Sequence, residues 1–276
     1  MRRWLTFNSA GAACAASVDD GGGPLGVVIV SGGSELACGA HGGMAQIAAT
    51  LAERGACVLR FDRPGVGDSM GVDPGFEASA PVIADAVRAL HSACARVERV
   101  VLVGNCDAAS ALLLAEESLR GEASGGELAI GALVLTNVWL DDRTADGDDA
   151  LPPPAVIRSR YLAKLASPRE WWRLISGGVN LRKLSAGLSA ASKRPALTGL
   201  TERVAAAAES VRVPVTVLLA EGDSTAIGFA EACSRQPLKS ATRHFDVRRY
   251  ASRSHSFADE ADRRLLVDTV LAFGSG

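Results

Sequence analysis

The segment from Val100 to Ala115 constrains this chain more than any other. Val100-Val101-Leu102-Val103 is a continuous apolar run, which reads as a strand buried on both faces. Gly104-Asn105-Cys106-Asp107-Ala108 follows, and Ala109-Ser110-Ala111-Leu112-Leu113-Leu114-Ala115 then reads as a helix. A strand that turns this sharply into a helix brings the two backbones almost into contact, which favours small residues on either side of the turn. Gly104 and Ala108 are such residues. The residue at the apex is lifted above the carboxyl edge of the sheet, the place where the pattern G-x-Nuc-x-G presents a nucleophile. Cys106 holds that place, so the turn points to acyl transfer by a thiol. The competing reading makes Cys106 a small buried apolar residue, a common fate of free cysteine.

The rest of the chain supplies a sheet for such a turn. Residues 4–17 read as a hairpin, ended by Asp19-Asp20-Gly21-Gly22-Gly23-Pro24. Strands are expected at Gly26–Val30, Cys57–Phe61, Val100–Val103, Ala132–Thr136, Val213–Ala220 and 243–250. Helices are expected at 43–54, 79–96, 107–119, 226–233 and 258–273. Strand alternates with helix, which implies an α/β fold: a mostly parallel, twisted sheet covered on both faces. The alternation breaks between 138 and 208, where Pro152-Pro153-Pro154 and helical patterns around Tyr161, Leu165, Trp171 and Trp172 intervene. This divides the chain into a core of residues 1–137 and 209–276 and a helical insertion, 138–208. An insertion at the carboxyl edge of such a sheet commonly becomes a lid over the site, and Trp171 and Trp172 then become substrate-contact candidates. A surface decoration or a subunit contact is the alternative.

Composition excludes several classes. At 276 residues with a formal net charge of −2, and with basic and acidic residues interspersed, the chain has no electrostatic footprint for nucleic acid. Its six cysteines are scattered without metal-ligand spacing, and five of them, all but Cys106, are assigned to packing. They read as reduced thiols, and a cytoplasmic protein is expected. The apolar stretch after Met1-Arg2-Arg3 is short and broken by Asn8 and Ser9, unlike a signal peptide. No run reaches membrane-spanning length. No metal or organic cofactor is implied.

A thiol nucleophile needs a base, an acid to orient that base, and an oxyanion hole, with acid and histidine following the nucleophile in that order. Val213–Ala220 leads into Glu221-Gly222-Asp223-Ser224-Thr225, which makes Asp223 the expected acid and Glu221 its local competitor. Capping of the following helix is the plainer role for Asp223. His255, in Ser254-His255-Ser256-Phe257 before the last helix, is the expected base. His91 lies in a helix and His244 opens a strand. His41, in the first loop, is a candidate for substrate contact or for capping the helix that follows. The oxyanion hole needs two backbone N–H groups, expected from Asp107 and from Gly33 or Ser34. The Asp107 carboxylate beside a thiolate would oppose its charge, so it is expected to point away or to bond the loop carrying Asp62 and Arg63. That loop, Asp62–Ser69, is rich in turn residues and reads as structural.

With these pieces in place the chain resembles the exosortase A system-associated hydrolase 1 group of α/β-hydrolases. The likeness is carried by Gly32-Gly33 and Gly39-Ala40-His41, Phe61-Asp62-Arg63-Pro64-Gly65-Val66-Gly67-Asp68-Ser69 and Gly104-Asn105-Cys106-Asp107-Ala108-Ala109-Ser110. It continues through Trp171-Trp172-Arg173-Leu174-Ile175-Ser176-Gly177-Gly178-Val179-Asn180-Leu181, Gly222-Asp223-Ser224-Thr225-Ala226 and Ser254-His255-Ser256-Phe257. Together these run over nearly the whole chain, and the Cys-Asp-Ala turn is its most specific part. The resemblance implies an α/β-hydrolase fold. The chain departs from the group's pattern at Ser34-Glu35, where Pro-Gln is usual, and at Gly42, where a basic residue is usual. Both changes fall at the oxyanion loop and the mouth, and the resemblance supplies no substrate. A weaker likeness, to dienelactone hydrolase, rests on the Cys nucleophile alone.

Two functions of different class follow. The first is a thioesterase or acyltransferase with Cys106, His255 and Asp223 as its triad, acting on an acyl thioester carried by an acyl carrier protein or coenzyme A. Within the same class, a carboxylic-ester or lactone hydrolase is the alternative. The second is a hydrolase-fold binding protein without catalysis.

Overall fold

The computed structural model describes residues 2–123, 130–141 and 199–274. Two antiparallel strands, β1 (Arg2–Ser9) and β2 (Ala12–Asp20), lead into β3 (Leu25–Val30), α1 (Gly43–Glu53), β4 (Cys57–Phe61) and α2 (Ala80–Ala93). Then come β5 (Arg99–Asn105), α3 (Asp107–Ala123), β6 (Ile130–Thr136), α4 (Gly199–Ser210) and β7 (Val215–Ala220). The chain closes with α5 (Ser224–Cys233), a single turn α6 (Leu238–Ala241), β8 (Asp246–Tyr250) and α7 (Glu260–Leu271). The eight strands form one sheet in the order β1-β2-β4-β3-β5-β6-β7-β8. Pairing is antiparallel at β1/β2 and β2/β4 and parallel elsewhere. The α/β sheet expected from the alternation is therefore present, with β5 near its centre.

Side-chain alternation along the strands divides the core into two layers. Val28, Val30, Val100 and Leu102 point to a layer shared with Val82, Ile83 and Val87 of α2 and Leu112 of α3. Val27, Ile29, Val101 and Val103 point the other way, against Ile47 and Leu51 of α1 and Leu266 and Val270 of α7. Strands covered on both faces must be apolar throughout, and β3, β4 and β7 are buried at every residue. The outer strand β8 is exposed along most of its length and carries Asp246, Arg248 and Arg249, charges that discourage pairing at an open edge.

The described ends of the 138–208 stretch stay with the core. Val138 is fully buried, and Leu200, Val204 and Ala208 of α4 join the layer with α3. Residues 142–198, Trp171 and Trp172 among them, lie outside the described residues. His244 precedes β8 and does not open it, because the strand begins at Asp246. Among the described residues no helix is long and apolar enough to cross a membrane.

Candidate active site

The turn after β5 has the strain that its sequence implies. Cys106 adopts φ 60°, a left-handed conformation unusual for a residue with a side chain. Three backbone bonds hold it there: Cys106 N–H to the Thr136 carbonyl (3.0 Å), and the Ala109 and Trp139 N–H groups to the Cys106 carbonyl (3.1 and 3.2 Å). Close approach explains the neighbouring glycines. A Cβ at Gly104 would lie 2.8 Å from the Ala108 carbonyl oxygen, and one at Gly32 would lie 2.5 Å from the Asn105 carbonyl oxygen.

Loops at the carboxyl edge bring two distant residues to Cys106. Asp223 follows β7 and is nearly buried, at 7% side-chain exposure. Its Oδ1 caps α5, accepting from the N–H groups of Thr225 (3.0 Å) and Ala226 (2.9 Å). Its Oδ2 lies 2.9 Å from Nδ1 of His255, in the loop after β8. The helix cap and the contact to His255 are thus made by different oxygens of one carboxylate. Glu221 is exposed two residues earlier. The His255 side chain also interacts with that of Cys106.

The charges follow from these contacts. The hydrogen bond to Asp223 and the neighbouring Cys106 raise the His255 pKa to about 10 against the opposing effect of burial. Burial alone would push the Asp223 carboxyl up. The bonds from His255, Ala226 and Thr225 outweigh it and hold the carboxyl below its ordinary range.

The Asp107 side chain turns toward the first loop. Its Oδ1 accepts the Gly33 N–H at 2.7 Å. The Arg63 guanidinium donates to the Gly33 carbonyl and lies 3.4 Å from Asp73. Gly33 is therefore gripped at both its N–H and its carbonyl, by Asp107 and Arg63. Burial pushes the Asp107 carboxyl above its usual range, with Arg63 and the Gly33 N–H opposing. One consequence touches the oxyanion hole. Of the two loop donors expected from the sequence, the Gly33 N–H is engaged by Asp107 in this structure. Asp107 itself opens α3, so its backbone N–H is among the donors that a helix leaves without an intrahelical partner.

The Asp62–Ser69 loop is self-bonded: Asp62 accepts from Ala37 (2.7 Å) and Asp68 (3.2 Å), and Ser69 Oγ donates to the Asp62 carbonyl (2.6 Å). His41 is exposed, in the turn before α1, and that helix starts at Gly43 with Gly42 as its N-cap and no side-chain cap bond.

Sequence reasoning missed a polar cluster beneath His255. The side-chain amides of Asn105 and Asn137 both donate to the His255 carbonyl, at 3.1 and 3.4 Å. Asn137 Oδ1 accepts the N–H of Ala220 at 3.1 Å, and Thr136 Oγ1 donates to Asn105 Oδ1 at 2.8 Å. Thr136 and Asn137 are almost fully buried. The available signal was a pair of polar residues ending the apolar run Ala132–Leu135.

Known proteins match the chain at two levels, family and fold. No curated protein matches the chain. Residues 27–269 match the Alpha/beta hydrolase family. An esterase of Pyrococcus furiosus has a similar solved structure, with 16% identity, TM-score 0.61, and coverage of 99% of this chain and 90% of its own. A hyperthermophilic esterase from the archaeon Pyrobaculum calidifontis gives 18% identity and TM-score 0.61, over 100% of this chain and 83% of its own. The thioesterase domain from the curacin biosynthetic pathway gives 15% identity and TM-score 0.54, over 99% of each chain. At such identities these structures share the fold, and the sequence match over most of the chain places it in a family: this protein belongs to the Alpha/beta hydrolase family.

Proposed function

We propose that this protein is a Cys-dependent acyl hydrolase or acyltransferase that acts on thioesters, with Cys106, His255 and Asp223 as nucleophile, acid–base and orienting carboxylate. One observation carries the reading: His255 is bonded to Asp223 at 2.9 Å and its charge is coupled to Cys106, at the strained apex of the turn. The Cys106 sulfur attacks the acyl carbonyl with its proton on His255. Backbone N–H groups of Asp107 and Ser34 stabilise the oxyanion, and His255 protonates the leaving group. Water or a second acceptor then releases the acyl group. Both steps use the chain's own residues and no cofactor.

Thioesters suit this site better than oxygen esters. Attack on a thioester by a thiol exchanges one thioester for another and expels a thiol that needs little protonation. An acyl group on a carrier protein or on coenzyme A fits that chemistry. Membership of the exosortase A system-associated hydrolase 1 group, a cytoplasmic location and a lid drawn from within residues 138–208, whose described ends pack with the core, belong to the same proposal. The lid is supported by the place where that stretch begins: Trp139 donates to the Cys106 carbonyl. His41, Trp171 and Trp172 are its proposed substrate contacts.

The second reading is a carboxylic-ester hydrolase, favoured by the esterases among the similar structures. Intact-protein mass after brief exposure to matched thioesters and esters, together with kcat/KM for each pair, decides between the two. An acyl adduct that disappears in Cys106→Ala supports the thiol mechanism, and a clear preference for oxygen esters overturns the thioester reading.

A further inference from the structure

Far from Cys106, at the opposite edge of the sheet, three side chains from separate elements converge. Asp20 ends β2 and Cys57 begins β4, and the two are register partners across that antiparallel pair. Cys94 caps the carboxyl end of α2 beneath them. Asp20 carboxylate oxygen, Cys57 Sγ and Cys94 Sγ all lie within 4.8 Å of one another. Cys57 Sγ donates to Asp20 Oδ1 at 3.1 Å. Residues 20, 57 and 94 are far apart in sequence, so no ligand spacing announces the cluster.

We propose that Asp20, Cys57 and Cys94 form a binding site for a thiophilic divalent cation of the zinc type, which ties β2, β4 and α2 together. Two sulfurs and one carboxylate oxygen are donors that zinc accepts, and tetrahedral coordination places such donors roughly 3.5 to 4 Å apart. The charges also balance. Two thiolates, one carboxylate and a divalent cation sum to −1, and the Arg3 guanidinium, 3.5 Å from Asp20, supplies the compensating positive charge. Access comes from one side only. Both cysteines are buried, while the Asp20 side chain is 35% exposed, leaving room for water in the fourth position.

Binding must release protons. The exchange is two thiols plus M²⁺ giving the bis-thiolate complex plus two H⁺, with no change of oxidation state. This makes binding steeply pH-dependent and argues against easy oxidation of the pair to a disulfide.

The test uses the full chain carrying Cys106→Ala, so that the thiol of the proposed active site does not report. Co²⁺ titration should give one equivalent bound, with the thiolate-to-cobalt band of the near ultraviolet and the visible bands of tetrahedral Co²⁺, both displaced by Zn²⁺. Apparent affinity should tighten by about 100-fold per pH unit near neutrality, as release of two protons requires. Cys57→Ser and Cys94→Ser should each abolish the near-ultraviolet band, and Asp20→Asn, which keeps the shape, should weaken binding at least tenfold. Zn²⁺ should raise the melting temperature of the parent and leave that of Asp20→Asn nearly unmoved. Absence of the bands at millimolar Co²⁺, or their persistence in the serine variants, overturns the site. Neither result bears on the acyl-transfer reading.

Discussion

The Asp107 carboxylate accepts the Gly33 N–H at 2.7 Å, one residue from the proposed nucleophile. Its charge thus serves the first loop, in concert with Arg63. Asp107→Ala removes the tie and should lower kcat by about 10- to 100-fold, the scale of one impaired oxyanion donor. Labelling of Cys106 by a thiol reagent should stay fast. Asp107→Asn keeps an acceptor at the same place and should recover most of the rate. Equal losses in both variants would assign the effect to charge, not to the loop.

Cys106→Ala should leave less than about a hundredth of the wild-type kcat with the melting temperature little changed, because the lost sulfur is at the half-exposed apex and not in either core layer. His255→Ala should cost as much, and the double variant no more, since members of one catalytic unit do not contribute additively. Asp223→Asn should be severe, and Glu221→Gln near neutral. Additive losses, or a reversal of the last pair, would redraw the site.

A pKa of about 10 for His255 sets the pH behaviour. The imidazolium that protonates the leaving group is lost as pH rises through that value. The ester rate should therefore fall above pH 9, with the thioester rate falling less. Stability follows the same sign. The folded state holds the proton more tightly than the free imidazole near 6.5, so this stabilisation is complete below about pH 6.5 and fades as pH rises toward 10. His255→Gln should flatten that alkaline decline in melting temperature. An unchanged slope would place the decline elsewhere.

The paired amides under His255 give a prediction about position. Asn137 has φ 48°, so glycine is the substitution that keeps its backbone. Asn137→Gly removes the partner of the buried Ala220 N–H and should cost about 1–3 kcal/mol in denaturant unfolding. Asn105→Ala removes the other amide on the same carbonyl. Because either amide can hold that oxygen, the pair of changes should lower kcat by more than the product of the single effects, with KM steady. Simple multiplicative losses would mean that the amides do not share the task.

What was legible in the sequence follows from what is local. The apolar run Val100–Val103 with small residues after it specifies the strand, the turn and the strained apex within one short segment. The pairing of Asp223 with His255 could be anticipated from chain order, a property of topology that survives without coordinates. The Asp107–Gly33 bond was not legible, because it joins a carboxylate to a backbone N–H, and a backbone group carries no residue signature. The same holds for the amides gripping the His255 carbonyl. Cys57 and Cys94 read as packing residues because their proximity is set by how β4 and α2 stack.

The outer position of β8 carries a consequence for inactivation. Among the described residues that strand has one neighbour, β7, and is largely exposed, and His255 hangs from the loop that follows it. Edge segments with few buried contacts open at lower free energy than the centre of a sheet. Amide hydrogens of β8 should therefore exchange sooner than those of β3 and β5. Heat should silence the protein by fraying this margin while its interior layers still hold, so that an enzyme scored as dead in a warmed sample is still largely folded and recovers on cooling.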